Sequence, residues 1–414
     1  MRVISDLHIH SKYSRATSPQ CELAGLAEWA HIKGIGLLGT GDFTHPKWLK
    51  ELKTGLKPAG EGIFEHQGTK FMLTSEVSNI FELDGYERTK KVHTLLFAPS
   101  FEVVEQINDE IKPYGNLAED GRPILMMDIA ELLDVVEGIS KDIMFIPAHA
   151  WTPWFGIFGS KSGFDSLEEA FGKKASHIKA IETGLSSDPA MNWMISKLDK
   201  VTLISNSDAH SPPKLGREAN VFELEKLDYP SVTNAILTRK GFEKTYEFYP
   251  DEGKYHWDGH RKCNIWMNPV DAGKLGNRCP KCGKPLTVGV LHRIVDLANR
   301  EQGYVPKGSI PFTSLIPLVT VIATVRGRGE QTKGVRGEYF KLVKYFGNEF
   351  TALEAPKEQL RLATDKQLAD AIVNAREGKV HWRPGYDGVF GELSFSEVSQ
   401  PAYSVKGQKS LRDF

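Results

Sequence analysis

Residues 3–11 read VISDLHIHS, a short β-branched apolar run that passes straight into ionisable groups at every second position. On an extended strand, residues two apart point the same way, so Asp6, His8 and His10 present a carboxylate and two imidazoles on one face. Alone, an H-x-H is an ordinary polar strand end. Here it recurs: SNSDAH, residues 205–210, sets Asp208 and His210 in the same relation after another apolar run. Strands are predicted at Val3–His8, Gly34–Gly39, Phe71–Val77, Val92–Phe97, Ile143–Pro147, Ile178–Thr183 and Thr202–Ser205. Helical patterns such as Glu22–Lys33 and Glu102–Ile111 fall between them, which is how βα units around a parallel sheet read. Periodicity leaves an open doubly wound sheet and a barrel both standing. The polar residues separate the two. Asp6, His8, His10, Asp42, Glu76, His149, Glu182, Asp208 and His210 fall at or just after the ends of those strands, where α/β folds gather their active sites. Convergence of ligands from several strands on one point favours a barrel.

The chain has 414 residues, enough for two or three domains, and its 40% hydrophobic and 25% charged residues exclude disordered, collagen-like and coiled-coil classes. The opening MRVISDLHIH lacks the cationic, apolar and small-residue parts of a secretory signal, so a cytoplasmic location is expected. The uncharged runs Ile143–Ser160 and Gly308–Val325 are broken by prolines and fall short of the roughly 20 apolar residues that span a bilayer, so no membrane partner is expected.

The formal net charge of −1 hides an asymmetry. Residues 1–245 hold 27 Lys+Arg against 34 Asp+Glu, whereas residues 246–345 hold 16 against 9. An acidic section followed by a basic one suggests a metal-collecting site beside a surface that attracts a polyanion. Four cysteines make no disulfide framework, and Cys263, Cys279 and Cys282 cluster, whereas Cys21 reads as a buried core thiol. His260 and Cys263 form H-x-x-C, Cys279 and Cys282 form C-x-x-C, and the spacing fits a closed tetrahedral zinc site of structural type. His256 is the alternative to His260, and Gly283 in CPKCG permits a tight turn. Lys262, Lys274, Arg278, Lys281 and Lys284 decorate this unit. Arg326, Arg328, Lys333 and Arg336 lie in the Gly-rich stretch VRGRGEQTKGVRG, read as a flexible loop suited to nucleic-acid phosphates.

Of 13 histidines, His8, His10, His45, His93, His149 and His210 fall in or near strands of the first section, with Glu76 and Asp208 as bridging carboxylates. Mixed imidazole and carboxylate sets suit zinc, manganese or iron, and paired metals can activate water while neutralising a phosphate. Metal-dependent phosphoester hydrolysis is the chemistry expected.

DLHIHS, GTGDFTH, the Glu76 of SEVS, His93, PAHAW with His149, and SNSDAH resemble the successive motifs of the polymerase and histidinol phosphatase (PHP) superfamily. The resemblance implies a distorted seven-stranded βα barrel with a trinuclear metal site, in which His8, His10, Glu76 and Asp208 hold the first metals and His93, His149 and His210 complete the cluster. Two departures stand out. Arg15 occupies a place where many members have Asp, and Phe43 follows the motif-two Asp where they have His. Asp42 and His45 are the nearest replacement ligands. Arg15 reads as a phosphate contact, with a salt bridge as the alternative. Together with the H-x-x-C/C-x-x-C ribbon, KPLTVGVLHR and SLIPL, the chain is similar to the endonuclease Q family over nearly its whole length.

That resemblance implies a DNA repair endonuclease cutting on the 5′ side of a deaminated base (uracil, hypoxanthine, xanthine) or an abasic site, to leave 3′-hydroxyl and 5′-phosphate ends. His8, Glu76, Asp208 and Arg15 would be catalytic, with two to three divalent metals (zinc, manganese or magnesium) in the barrel and one structural zinc in the ribbon. A small-molecule phosphatase has no use for the ribbon and the basic section, and a non-catalytic DNA-binding clamp adaptor leaves the ligand set without purpose. The expected division is a barrel at 1–245, a zinc ribbon at 246–288, a helical DNA-binding domain at 289–392 and a mobile tail at 393–414. Backbone amides and polar side chains of Ser186–Asn192 or of the Gly-rich loop are expected to line a lesion pocket. In the terminal QKSLRDF, Gln408, Leu411 and Phe414 stand at positions one, four and seven, which resembles a peptide that binds a DNA sliding clamp.

Overall fold

Each of the seven apolar runs supplies one strand to a common ring in the computed structural model of the chain, which describes residues 1–396 apart from positions 84 and 87. The strands are β1 (Arg2–Asp6), β2 (Leu37–Gly39), β3 (Thr69–Phe81), β4 (Lys90–Ala98), β5 (Met144–Pro147), β6 (Ala180–Glu182) and β7 (Thr202–Ile204). Pairing is parallel for β1 with β2, β2 with β3 and β6 with β7, and antiparallel for β3 with β4 and β4 with β5. Single hydrogen bonds link the other two seams: Ala150 N–H donates to the Glu182 carbonyl at 2.9 Å, and His10 N–H to the Ala209 carbonyl at 3.0 Å. The result is a closed but distorted barrel.

Successive residues of each strand face opposite sides, as the strand period requires. Val3, Leu37, Met72, Leu95, Ile146, Ala180 and Ile204 share one buried cluster inside the ring, which continues onto the helix Tyr229–Thr238. Their neighbours Ile4, Leu38, Phe71, Leu96, Phe145, Ile181 and Leu203 pack in a second cluster with the helices Leu23–Lys33, Phe101–Ile111 and Ile129–Ile139. Cys21 lies fully buried there, and burial pushes its thiol up to about 12, as a core thiol requires.

The all-parallel expectation fails at β4. Only residues 82–89 join it to β3, too few for the crossover that parallel neighbours need. Strands Ala219–Glu223 and Phe242–Glu247 continue the sheet antiparallel beyond β1, and Phe312–Ser314 adds to the latter. The boundary drawn at residue 245 therefore falls inside a strand. A hairpin, Lys57–Gly60 with Ile63–His66, packs on β3.

After the barrel, the hairpin Asp258–His260 with Ile265–Met267 carries a small core of Ile265, Met267, Ala272, Cys279 and Leu286. The chain returns to this unit late: His381–Arg383 pairs with Glu392–Ser394, and Tyr386 bridges to Trp257. Leu393 is thus in a strand rather than at the start of a tail, whereas Gln408, Leu411 and Phe414 lie outside the described residues.

Between them stand the helices Leu318–Arg326, Lys333–Phe346, Glu349–Glu354, Lys357–Ala363 and Lys366–Arg376. The Gly-rich stretch is consequently an exposed loop only over residues 327–332, with helix on both sides of it. Arg326 is not free for phosphate: it pairs with Glu338 at 2.6 Å and with Asp365. A buried pair, Lys33 Nζ to Glu349 Oε2 at 2.6 Å, fastens this helical domain to the first helix of the barrel. Among the described residues no helix is long and apolar enough to cross a membrane.

Candidate metal centre

Glu76, buried in the middle of β3, is the hub. Its Oε1 lies 2.8 Å from His93 Nδ1 and 2.9 Å from His149 Nε2, and its Oε2 lies 3.3 Å from His10 Nε2 and 3.5 Å from His8 Nε2. Asp208 closes the other side, with Oδ1 at 3.1 Å from His10 Nε2, 3.7 Å from His8 Nε2 and 3.5 Å from His210 Nδ1. Three overlapping groups have ligand atoms close enough to share a cation: His8, His10 and Glu76; His10, Asp208 and His210; and Glu76, His93 and His149.

The imidazoles are aimed. His8 donates from Nδ1 to Glu182 at 3.0 Å, and His10 from Nδ1 to Asp42 at 2.9 Å, so both keep a bare Nε2 facing Glu76 and Asp208. His8 Nε2, His10 Nε2 and Asp208 Oδ1 are all buried and make no hydrogen bond among the described residues. Buried polar atoms are normally partnered, and two orphan imidazole nitrogens, each facing both the Glu76 and the Asp208 carboxylate, fit a divalent cation. Electrostatics agree. Burial opposes charge on His8, yet Glu182, Glu76 and Asp208 outweigh it and raise its pKa well above the usual imidazole value, so the carboxylates draw a positive charge to Nε2, a proton or, in its place, a metal cation. Burial likewise opposes charge on Glu76, but His93, Arg122 and His8 hold it well below the carboxylate range. Glu76 and Asp208 are thus anionic, which is what a cation site needs.

Backbone strain concentrates at the same place. Asp42, His149 and Asp208 adopt left-handed conformations with φ of 51°, 29° and 48°, a region that costs residues with a Cβ about 1–2 kcal/mol.

Two expected ligands stand elsewhere. Asp42 turns its carboxylate onto His10, the Ser11 amide at 2.6 Å and the hydroxyls of Ser11 and Ser14 at 2.7 and 2.9 Å, so it orients a ligand instead of being one. A Cβ on Gly121 would come within 2.2 Å of that carboxylate, which explains the glycine. His45 stacks on Tyr13 with ring centroids 4.5 Å apart and donates to the Ala118 carbonyl at 3.2 Å; it joins none of the three groups. Asp6 also points away, accepting from the amides of Ser207 and Gly216. Arg15 is exposed and makes no ion pair among the described residues; its amide meets Asp120.

Two further residues belong to the site, Glu182, which the sequence places at a strand end without a role, and Arg122, which it does not single out. Glu182 fixes His8, the His149 amide at 2.8 Å and Asn206 at 2.9 Å, and its one clue in the sequence was its place at a strand end. Arg122 reaches Glu76 Oε2 at 3.1 Å from a loop without periodic pattern, and nothing local signals that contact. Within 186–192, Ser187 and Asn192 are buried and bonded to Thr183, Trp151 and each other, while Pro189 and Asn192 line a cavity with Trp193, Leu198 and Arg239.

The cysteine unit assembles as its spacing predicts. His260, Cys263, Cys279 and Cys282 bring one ligand atom each within 4.8 Å of the others, with His260 Nδ1 3.4 Å from Cys282 Sγ. His256 is instead buried 4.0 Å from Asp251.

Residues 317–379 match the family model of the MJ0043 C-terminal domain. The chain is 34% identical over 255 residues, 60% of its length, to the uncharacterised protein MJ0043 of Methanocaldococcus jannaschii, and spans only 31% of that protein. The crystal structure of the lesion-specific endonuclease PfuEndoQ from Pyrococcus furiosus is similar with a TM-score of 0.86 at 36% identity, covering 96% of both chains. A crystal structure of endonuclease Q with a 27-mer duplex carrying an abasic lesion at the active site is similar with a TM-score of 0.85 at 34% identity, covering 98% of this chain and 100% of that one.

Proposed function

This chain belongs to the endonuclease Q family of lesion-specific DNA endonucleases, and from that premise we propose that its barrel hydrolyses the phosphodiester bond on the 5′ side of an abasic site or a deaminated base, uracil, hypoxanthine or xanthine, leaving 3′-hydroxyl and 5′-phosphate ends. The observation that carries the chemistry is the trio of buried, unpartnered ligand atoms on His8, His10 and Asp208 around Glu76. Two to three divalent metals, zinc, manganese or magnesium, are held by His8, His10, Glu76, His93, His149, Asp208 and His210. When bound, such ions supply Lewis acidity, neutralising phosphate charge and making water deprotonate near neutral pH.

The protein's own part is placement. Glu182 and Asp42 hold the tautomers that leave both Nε2 atoms available. Arg122, about a quarter exposed beside Glu76, presents its guanidinium to an incoming phosphate, and the exposed Arg15 meets the strand farther out. A base whose Watson–Crick edge identifies the lesion is hidden in a duplex, so the nucleotide is extruded before cutting, which is easiest at damaged pairs. The ribbon cysteines and His260 hold a structural zinc that organises the unit flanking the barrel. We assign the barrel, whose last antiparallel strand runs to residue 247, to catalysis, the cysteine unit at 258–288 with the returning segment 381–394 to metal-stabilised packing, and the helices between Leu318 and Arg376 to DNA engagement. Gln408, Leu411 and Phe414 tether the cytoplasmic enzyme to a sliding clamp, raising its effective concentration on DNA.

A nicking assay on plasmid carrying abasic sites or uracil, with and without chelator, tests the reading. His8→Ala and Asp208→Ala are expected to abolish cutting while damaged-duplex binding survives. Nicking at the wild-type rate by either variant, or chelator-resistant nicking by the intact protein, rejects it.

A further inference from the structure

We propose that Trp154, backed by Tyr255, is a stacking platform for an unpaired DNA base beside the scissile phosphate; the inference rests on the nuclease reading above. Trp154 follows the candidate ligand His149 by five residues and is 48% exposed, whereas the nearby Trp151 is 1% exposed and donates its indole N–H to Asn192. A large aromatic left in water at the rim of a charged site calls for an explanation that a scattered exposed leucine does not.

Its exposure is built in. The next residue, Phe155, has φ of 68°, accepts the His93 amide on its carbonyl at 2.8 Å and lays its ring 4.3 Å from the His93 ring. The loop closes on itself through Phe158 N–H to the Ala150 carbonyl at 2.8 Å and Lys161 N–H to the Pro153 carbonyl at 2.9 Å. A Cβ on Gly156 or Gly159 would come within 2.6 or 2.3 Å of the Thr152 carbonyl, so the loop has no slack. The backbone that carries the indole is therefore held in fixed relation to the candidate ligands His93 and His149.

The aromatic surface continues from there. Tyr255 stands edge-on to Trp154, centroids 6.3 Å apart at 74°, and belongs to the segment that leads into the ribbon. The adjoining Lys254 holds its ammonium 4.5 Å over Phe390, which is 60% exposed. Three aromatics with an ammonium among them, running from the barrel rim toward the ribbon, have the make-up of surfaces on which unpaired bases stack while cations follow the backbone. Extruding a nucleotide unstacks its neighbours. An aromatic face near the cut replaces that lost stacking and lowers the free-energy cost of opening.

The test uses the full-length protein and a duplex with 2-aminopurine next to an abasic site. Binding by wild-type protein and by Trp154→Phe is expected to quench the 2-aminopurine fluorescence, and Trp154→Ala is expected to lose the quench. For nicking, Trp154→Ala should raise KM about fivefold to 150-fold, the span of one base–aromatic stack, with kcat changed less than about twofold. Retained quench and unchanged KM in Trp154→Ala overturn the proposal. So does a lowered thermal midpoint with quench intact, which would make the indole mortar between barrel and ribbon. The nuclease reading fails separately, if wild-type protein quenches the probe yet never nicks the abasic strand.

Discussion

Glu349→Ala should loosen the helical domain from the barrel. Glu349 is 3% exposed and opens the helix Glu349–Glu354. Its Oε2 meets Lys33 Nζ at 2.6 Å and accepts the Tyr339 hydroxyl at 2.6 Å, and its Oε1 accepts the amide of Leu318, the first residue of the helix Leu318–Arg326, at 3.0 Å. Alanine strands an ammonium, a hydroxyl and a helix-end amide together. Breaking a buried ion pair from one side costs about 3–5 kcal/mol, and buried neutral donors left unpaired add about 1–3 kcal/mol each before relaxation, so a net loss of roughly 4–6 kcal/mol is expected. Lys33→Met is milder, roughly 3 kcal/mol, because Glu349 keeps two donors. The two changes should couple by about 2 kcal/mol in a double-mutant cycle. Urea unfolding followed by far-ultraviolet dichroism gives the totals. Hydrogen exchange at residues 318–326 shows whether the helical domain opens before the barrel does. A Glu349→Ala protein within about 1 kcal/mol of wild type, or strictly additive single changes, refutes the reasoning.

Removing Asp42 by Asp42→Ala should weaken barrel-metal binding about 10- to 100-fold, as expected for a group that orients a ligand, and Gly121→Ala should reach a similar result by pushing the same carboxylate aside; metal titration that matches wild type in both contradicts this. Cys279→Ser should release one zinc without emptying the barrel, since a closed thiolate site stabilises its own unit; elemental analysis with an unchanged zinc count rules it out. Glu247 is fully buried, and burial raises its carboxyl to about 7 against hydrogen bonds from Ser205, Thr245 and Thr183 that lower it. The folded state therefore holds this proton more tightly than the unfolded chain. The stability it contributes is complete below about pH 4.5 and is lost as pH rises through about 7, by up to roughly 3 kcal/mol. Glu247→Gln should flatten that part of the stability profile, and an unchanged slope from pH 5 to 8 would show that another group governs it.

Legibility followed the reach of each signal. The seven barrel strands and the convergence of His8, His10, His149 and Asp208 could be read because strand alternation and strand-end polarity are local properties, whereas Glu76 stands in the middle of β3, which runs past its expected end, and His93 lies within β4. The cysteine unit was readable because all four of its candidate ligands fall within 260–282. Glu182 and Arg122 acquire their roles only when β6 and a non-periodic loop meet β3, a relation no window of sequence contains. Asp42 and His45 were misjudged for a related reason: residue type fits a ligand, but the direction of the side chain is set by Ser11, Ser14, Gly121 and Tyr13. The run VRGRGEQTKGVRG suggests a loop by its glycines. Val335, Tyr339 and Leu342 make its second half helical, because burying that face against Leu318 and Ile322 outweighs propensity.

Left-handed backbone at Asp42, His149 and Asp208 also limits what this site can become. An amino acid at any of these positions must satisfy two requirements at once, the right donor atoms and tolerance of positive φ. Asp, Asn and His meet the second more readily than other residues with a Cβ, and β-branched residues hardly at all. Drift at these positions should therefore run along Asp, Asn, His and Gly, passing through Asn and Gly with the backbone intact and the chemistry weakened. A lineage that loses its metals would keep the loops, and a barrel of this kind retaining Asn or Gly at positions 42, 149 and 208 would be recognisable as a former enzyme from its backbone alone.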